Sequence, residues 1–262
     1  MLFGKNIVIT GVASGIGART AELASQLGAN VYGIDINQPK YPIGTFIEGN
    51  LATVDGVQSI IDALPNEIDA LCNVAGVSGD AGADITLRIN FFGLKMLSEG
   101  LTAKMHTGAS IVNVASIAGY GWRANSQRAS AIANISGFPE DMSSFLAKND
   151  VPNELGYPIS KEALLVWTQL ASQESLFKNK GIRVNAVSPG PVQTPIMNEF
   201  RAVLGDARVD ADIAKVGRAA TPSDIAPTIC FLCSDGARWI NGHNLATDGG
   251  LEAVVNKELL EL

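Results

Sequence analysis

The 262-residue chain is poor in the groups that build metal centres and disulfide frameworks, with 3 cysteines and 2 histidines. Cys230 and Cys233 form a C-x-x-C pair, but no second pair accompanies them, and they lie in an apolar run, Ile229–Cys233, that reads as buried helix. No metal is therefore expected, and so few cysteines fit a reducing, cytoplasmic setting. Basic residues are also scarce: 19 against 26 acidic ones leave a net charge of −7. That balance speaks against nucleic acid and against an anionic membrane surface as partners. No apolar run approaches the roughly 18 residues of a membrane span. The opening MLFGKNIVIT lacks the pattern of a secretory leader. Charged residues make up 17% and apolar residues 47% of the chain, a composition that excludes disorder and supplies a large core.

What is present is an alternation. Apolar, β-branched runs at Ile7–Thr10, Asn30–Ile34, Phe46–Ile47, Ala70–Val74, Ser110–Ala115, Arg183–Val187 and Asn244–Ala246 read as strands. Between them, Ile16–Leu27, Val54–Leu64, Ile85–Lys104, Tyr157–Phe177 and Thr221–Cys233 read as helices, the last opened by Thr221-Pro222 as cap and first position. Strands alternating with helices imply parallel strands joined by right-handed crossovers. The expectation is a single α/β domain over residues 1–262, a Rossmann-like doubly wound parallel sheet. One stretch, about 120–156, has no strand signal and is too long for a plain loop. Ser126–Ser136 and Pro139–Lys148 within it suggest two short helices, hence a helical insertion before the Tyr157 helix.

Thr10-Gly11-Val12-Ala13-Ser14-Gly15-Ile16-Gly17 follows the first strand and opens the first helix. Glycines there allow a tight turn and close approach of phosphate to backbone, and the helix start offers free N–H groups to a pyrophosphate. Asp35 ends the second strand, about 20 residues further on, where an acidic side chain binds a ribose 2′-hydroxyl. Its charge would repel a 2′-phosphate, and neither Ser14, Ile36 nor Asn37 is basic. The residues thus point to NAD rather than NADP.

Ser116 follows the fifth strand, and Tyr157 and Lys161 stand four apart, on one face of a helix. A free tyrosine is a poor base at neutral pH, with a pKa near 10. A neighbouring ammonium stabilises the phenolate, and a tyrosine so tuned passes protons to and from a substrate oxygen. Ser116 would hydrogen-bond the same oxygen. On its own, Y-x-x-x-K recurs on many surface helices.

Taken together these motifs resemble the short-chain dehydrogenase/reductase family, from Lys5 to Leu251. T-G-x-x-x-G-x-G stands at Thr10–Gly17, the family's N-N-A-G appears as Asn73-Val74-Ala75-Gly76, the active-site asparagine matches Asn90, and Pro189-Gly190 and Asp248–Gly250 match the closing motifs. The resemblance implies Tyr157 as general acid/base, Lys161 as ligand of the nicotinamide ribose, Ser116 as the group that positions the reacting oxygen, and Asn90 as holder of a water linking Lys161 to solvent. It places the dinucleotide against Gly11, Ser14, Gly15, Ile16, Gly17 and Asp35, with Asn50 and Leu51 at the adenine. Asn73, Ala75 and Gly76 would line the adenosine ribose. Tyr157, Lys161, Pro189, Gly190, Val192 and Thr194 would hold the nicotinamide end. Asn50 stands where the family usually has aspartate, keeping an acceptor oxygen and losing the charge.

The long stretch from Ser116 to Tyr157, with a short one from Gly76 to Asn90, resembles the bacterial 3α-hydroxysteroid dehydrogenase/carbonyl reductase and coniferyl-alcohol dehydrogenase subgroup. It implies a bulky, mostly apolar alcohol or carbonyl compound as substrate. Trp122, Met197, Phe200 and Leu204 would wall its pocket beside Ser116 and Tyr157, under a lid at about 194–216. The insertion would favour a homodimer over the tetramer common in the family. A dihydrodiol or sugar-alcohol dehydrogenase and a non-catalytic NAD-binding regulator are the competing readings. His106 and His243 are read as surface residues.

Overall fold

The computed structural model describes residues 2–262, apart from the side chains of Val203 and Leu204. Seven parallel strands grow from the apolar runs: β1 (Asn6–Thr10), β2 (Asn30–Asp35), β3 (Thr45–Glu48), β4 (Ile68–Asn73), β5 (Met105–Val114), β6 (Arg183–Pro189) and β7 (Asn244–Thr247). They lie in the order β3-β2-β1-β4-β5-β6-β7. Parallel neighbours need crossovers, and the helices that provide them cover both faces of the sheet. Alternation along β1 decides which residue goes where. Ile7 and Ile9 join one apolar layer with Ile225 and Ile229, while Val8 joins the other with Leu164 and Trp167. The strand order reverses between β1 and β4, and in such sheets the crevice beyond the carboxyl ends at that reversal receives the ligand.

The helices are α1 (Gly15–Gln26), α2 (Val54–Ala63), α3 (Ala83–Leu87), α4 (Leu94–Leu101), α5 (Ser126–Ala133), α6 (Met142–Lys148), α7 (Gly156–Ala171), α8 (Ser175–Lys178), α9 (Ile196–Leu204), α10 (Asp206–Val216), α11 (Pro222–Cys233) and α12 (Leu251–Leu259). As expected, Thr221 caps α11, with Asp224 bonding back to the Thr221 N–H at 2.7 Å. The three cysteines are buried and unlinked, with the Cys72 and Cys233 sulfurs 3.4 Å apart between β4 and α11. Among the described residues no cluster of metal-ligating side chains occurs, and no helix is long and apolar enough to cross a membrane.

Two helices depart from the sequence expectation. The Ile85–Lys104 segment is interrupted by a wide π-helical turn, Arg88–Gly93, which carries Asn90. The Tyr157–Phe177 segment stops at Ala171, because Ser172 bonds back to the Gln169 carbonyl and Asn241 captures the Ser172 carbonyl. The insertion does form two helices, α5 and α6, and it is part of the core. Phe92 of the π turn meets Phe138 and Phe145 with ring centroids 6.0 and 5.4 Å away. Buried Lys95 donates to the Ala133 and Ile135 carbonyls at the end of α5, at 2.9 and 2.6 Å. The buried carboxylate of Glu162 on α7 accepts from Asn125 at 2.7 Å and from Arg128 at 3.3 Å.

Candidate active site

A cleft of about 950 Å³ opens along the carboxyl ends of the strands. One end is made of backbone. At Gly11, φ is +78°, and a Cβ there would sit 2.8 Å from the Ala75 backbone; at Gly17 a Cβ would sit 2.0 Å from the Gly11 carbonyl oxygen. The chain therefore folds so that β1, the start of α1 and the segment after β4 touch backbone to backbone, leaving a smooth cradle at a helix N-terminus. The Thr10 hydroxyl holds this junction, accepting from the Val74 and Ala75 N–H groups at 2.9 and 3.0 Å. Asp35 faces the same end, its carboxylate accepting from Ala13 N and Asn37 N, both at 2.9 Å. Such a cradle with a flanking carboxylate fits the diphosphate and ribose of a nicotinamide dinucleotide.

Of the residues expected to bind it, Gly11, Ser14, Gly15, Ile16, Gly17, Asp35, Asn50, Leu51, Ala75, Gly76, Tyr157, Lys161, Pro189, Gly190, Val192 and Thr194 all line the cleft. The Asn50 oxygen already accepts from Ala52 N at 2.8 Å, which anchors the turn into α2. The exception is Asn73. It is buried behind the cleft, donating 2.9 Å bonds to Ser98 Oγ and Asn113 Oδ1, and it ties β4 to β5 and α4 rather than lining a ribose pocket.

At the other end, Ser116 follows β5 and caps the turn Ile117–Arg123, and Tyr157 and Lys161 rise from the first turns of α7. Lys161 Nζ lies 5.5 Å from the Tyr157 ring centroid and donates to the Val114 carbonyl at 2.9 Å. Burial pushes the Tyr157 phenol up to about 12, against the pull of hydrogen bonding to Ser116. Burial also pushes the Lys161 ammonium down to about 8. The expectation that Lys161 depresses the Tyr157 pKa is thus outweighed in this geometry by desolvation of the phenol.

Asn90 is held by three side-chain hydrogen bonds. Its oxygen accepts from Val77 N at 2.8 Å, and its nitrogen donates to the Val77 carbonyl at 2.9 Å and to Ser160 Oγ at 3.4 Å. With both donor hydrogens engaged, the side chain fixes the segment after β4 against α7. Of the expected substrate residues, Met197 and Phe200 line the cleft, and Phe200 stacks edge-on over Tyr157 at 4.7 Å. Trp122 does not line it; its ring packs on the core and under the Arg123 guanidinium, 4.5 Å away. The Leu204 side chain lies outside the described residues. His106 and His243 are both exposed.

Several lining residues escape the sequence patterns. Tyr120 lines the cleft and donates to Asn256 Oδ1 at 2.5 Å, so that Leu251 and Val255 of α12 form its far wall. Asp248 starts that helix, accepting from Gly250 N and Glu252 N at 2.9 and 2.7 Å. The i, i+4 spacing of Leu251 and Val255 behind the Asp248 cap is the signal that marks this wall. Glu154 and Glu199 carry no comparable signal.

The family model described as short chain dehydrogenase matches residues 5–151, and one described as Enoyl-(Acyl carrier protein) reductase matches residues 120–252. The chain belongs to the short-chain dehydrogenase/reductase family. This short-chain dehydrogenase/reductase is 42% identical over 250 residues to the coniferyl-alcohol dehydrogenase of Pseudomonas sp. (strain HR199 / DSM 7063), covering 95% of this chain and 97% of the relative. It is 30% identical over 262 residues to the 3-alpha-hydroxysteroid dehydrogenase/carbonyl reductase of Comamonas testosteroni, covering 95% and 97% of the two chains. Among solved structures, the 3-alpha-hydroxysteroid dehydrogenase from Pseudomonas sp. B-0831 complexed with NADH superposes with a TM-score of 0.82 at 30% identity, over 97% of this chain and 99% of that one. The protein is an oxidoreductase of the subgroup that the long Ser116–Tyr157 spacing implied.

Proposed function

We propose that this oxidoreductase is NAD-dependent and interconverts a bulky, largely apolar alcohol with its aldehyde or ketone, either an aryl allylic alcohol of the coniferyl type or a hydroxysteroid. The observation that carries this reading is one cleft holding a glycine-built cradle with Asp35 at one end and Ser116, Tyr157 and Lys161 at the other. Hydride acceptance is the chemistry that the nicotinamide supplies when bound. Tyr157 takes the alcohol proton as the carbonyl forms and returns it in the reverse direction. Ser116 holds the reacting oxygen in place. Lys161, with its pKa brought to about 8, carries charge under the Tyr157 ring at neutral pH and would meet the nicotinamide ribose. Asp35 favours a free ribose 2′-hydroxyl over a 2′-phosphate, which supports NAD. The lid of α9 and α10 supplies apolar wall through Ile196, Met197, Phe200 and Val209, in keeping with a bulky, water-poor substrate.

The test is reduction of NAD and of NADP with coniferyl alcohol, a 3α-hydroxysteroid, a cis-dihydrodiol, a sugar alcohol and a short aliphatic alcohol. Turnover of the first or second with NAD is expected. Turnover confined to the dihydrodiol or sugar alcohol would reassign the substrate, preference for NADP would overturn the reading of Asp35, and tight NADH binding with no turnover would favour a regulator. A homodimer is proposed as the assembly, supported by the packing of α5 and α6 over α7 and the π turn. A tetramer in light scattering would refute it.

A further inference from the structure

The substrate end of the cleft is not uniformly apolar. Ser78, in the segment after β4, is only 2% exposed, and its hydroxyl donates to Glu199 Oε2 on α9 at 2.7 Å while accepting from Asp80 N at 3.3 Å. The residues that follow Ser78 and Glu199 in the chain both touch the tyrosine of the site. Gly79 packs on Tyr157 so closely that a Cβ there would lie 3.2 Å from the tyrosine Cβ, and Phe200 stacks on the tyrosine ring. The Glu199 side chain, itself exposed, lines the same cleft from the lid and is steered by a buried hydroxyl.

Its charge is not neutralised. Among the described residues no cation lies within ion-pair distance of Glu199, and its Oε1 has no hydrogen-bond partner. The other charged groups on the cleft's substrate side are Glu154, the Arg208–Asp212 pair on α10, with Nε and Oδ2 3.3 Å apart, and Lys161, which bonds to Val114. A carboxylate accepts hydrogen bonds and cannot donate them. It draws in hydroxyl donors and repels anions. Within walls formed by Ile196, Met197, Phe200 and Val209, a hydroxyl is desolvated far more readily than an ammonium group.

We propose that Glu199, held by Ser78, is a specificity residue that accepts a hydrogen bond from a second, neutral hydroxyl of the substrate, remote from the reacting carbon. The cleft then selects hydroxylated neutral alcohols and rejects anionic ones. This rests on the alcohol-dehydrogenase reading above and narrows its substrate class.

The test compares 4-hydroxycinnamyl alcohol, cinnamyl alcohol and 4-carboxycinnamyl alcohol as substrates of the wild type, Glu199→Ala, Glu199→Gln and Ser78→Ala. The readout is the ratio of kcat/KM between paired substrates within each enzyme, which a merely structural role for Glu199 would leave unmoved. A hydrogen bond to a charged acceptor corresponds to about tenfold or more. The wild type should favour the 4-hydroxy compound over cinnamyl alcohol by about that factor, mainly through KM, and should discriminate against the carboxy compound. Glu199→Ala should bring the hydroxy ratio to about one. Glu199→Gln should keep part of the hydroxy preference and admit the carboxy compound, and Ser78→Ala should fall between wild type and Glu199→Ala. Should aryl alcohols not turn over, a pair of 3α-hydroxysteroids with and without a far-ring hydroxyl gives the same ratio. Equal ratios in wild type and Glu199→Ala, or a preference for an amino over a hydroxy analogue, would overturn the proposal while leaving the alcohol reading intact. Absence of turnover on all aryl and steroid alcohols would instead overturn that reading, and the inference with it.

Discussion

The two ends of the cleft are built on different principles. At the cofactor end the surface is backbone, drawn together so tightly that side chains larger than hydrogen are excluded at Gly11 and Gly17. At the substrate end the surface is side chain, contributed by the segment after β4, the insertion boundary, the α9–α10 lid and α12. A backbone surface recognises what all dinucleotides share. A side-chain surface drawn from separate elements changes with a substitution in any one of them, which is how one scaffold serves many alcohols. Tyr157 stands at the boundary, gripped by Gly79 from the fixed side and by Phe200 from the lid.

Substitutions on either side of that boundary should separate. The largest effect is expected from Tyr157→Phe, which removes the proton-transfer group while keeping the ring under Phe200. Steady-state kinetics should show kcat down by about 10²–10⁴, with NADH affinity changed far less. Gly17→Ala should act the other way, weakening NADH about 10- to 100-fold by calorimetry, because the new methyl meets a backbone carbonyl that cannot move aside. If the same variant altered only the choice among alcohols, the division between the two ends would be wrong. Asp35→Ser should shift the NAD-to-NADP preference about tenfold toward NADP, through loss of one charge beside the ribose.

The pH dependence probes the boundary itself. Burial holds the phenol protonated, with its pKa pushed up to about 12, and alcohol oxidation needs it deprotonated. Oxidation should therefore accelerate as pH rises through the neutral and mildly alkaline range, while carbonyl reduction, which uses the protonated phenol, should stay level until pH approaches about 12. Ser116→Ala removes a hydrogen bond that lowers the phenol pKa and should displace the rise to higher pH. The smallest effect is one of stability. The Lys161 pKa falls from its ordinary 10.5 to about 8 in the folded chain, so between those values the unfolded state binds more protons and wild-type stability rises with pH. Lys161→Met removes a desolvated cation and should raise Tm by a few degrees below pH 8, where that cost is fully present, while abolishing turnover.

The same contrast explains what was legible in the sequence. The strands, the cradle and the Ser116–Tyr157–Lys161 group could be read because each depends on local pattern or on spacing along one element. Asn73 does not line the cleft, and the Asn113 and Val77 partners of Asn73 and Asn90 are not legible, since nothing local reveals what lies opposite them. Trp122, expected as pocket wall, sits in the turn Ile117–Arg123, and only the tertiary fold shows that it packs against the core. Ser78 and Glu199 are far apart in sequence and carry no motif; their meeting is a product of the tertiary fold.

The insertion has a consequence for transplanting the fold. Its hold on the domain rests on Phe92 in the π turn, Lys95 on α4 and Glu162 on α7, and none of these belongs to the inserted segment itself. Deleting residues 120–156 alone would leave that phenyl ring, ammonium group and carboxylate without these partners. A graft of this segment into a shorter relative would have to carry these three sites along to keep the same contacts.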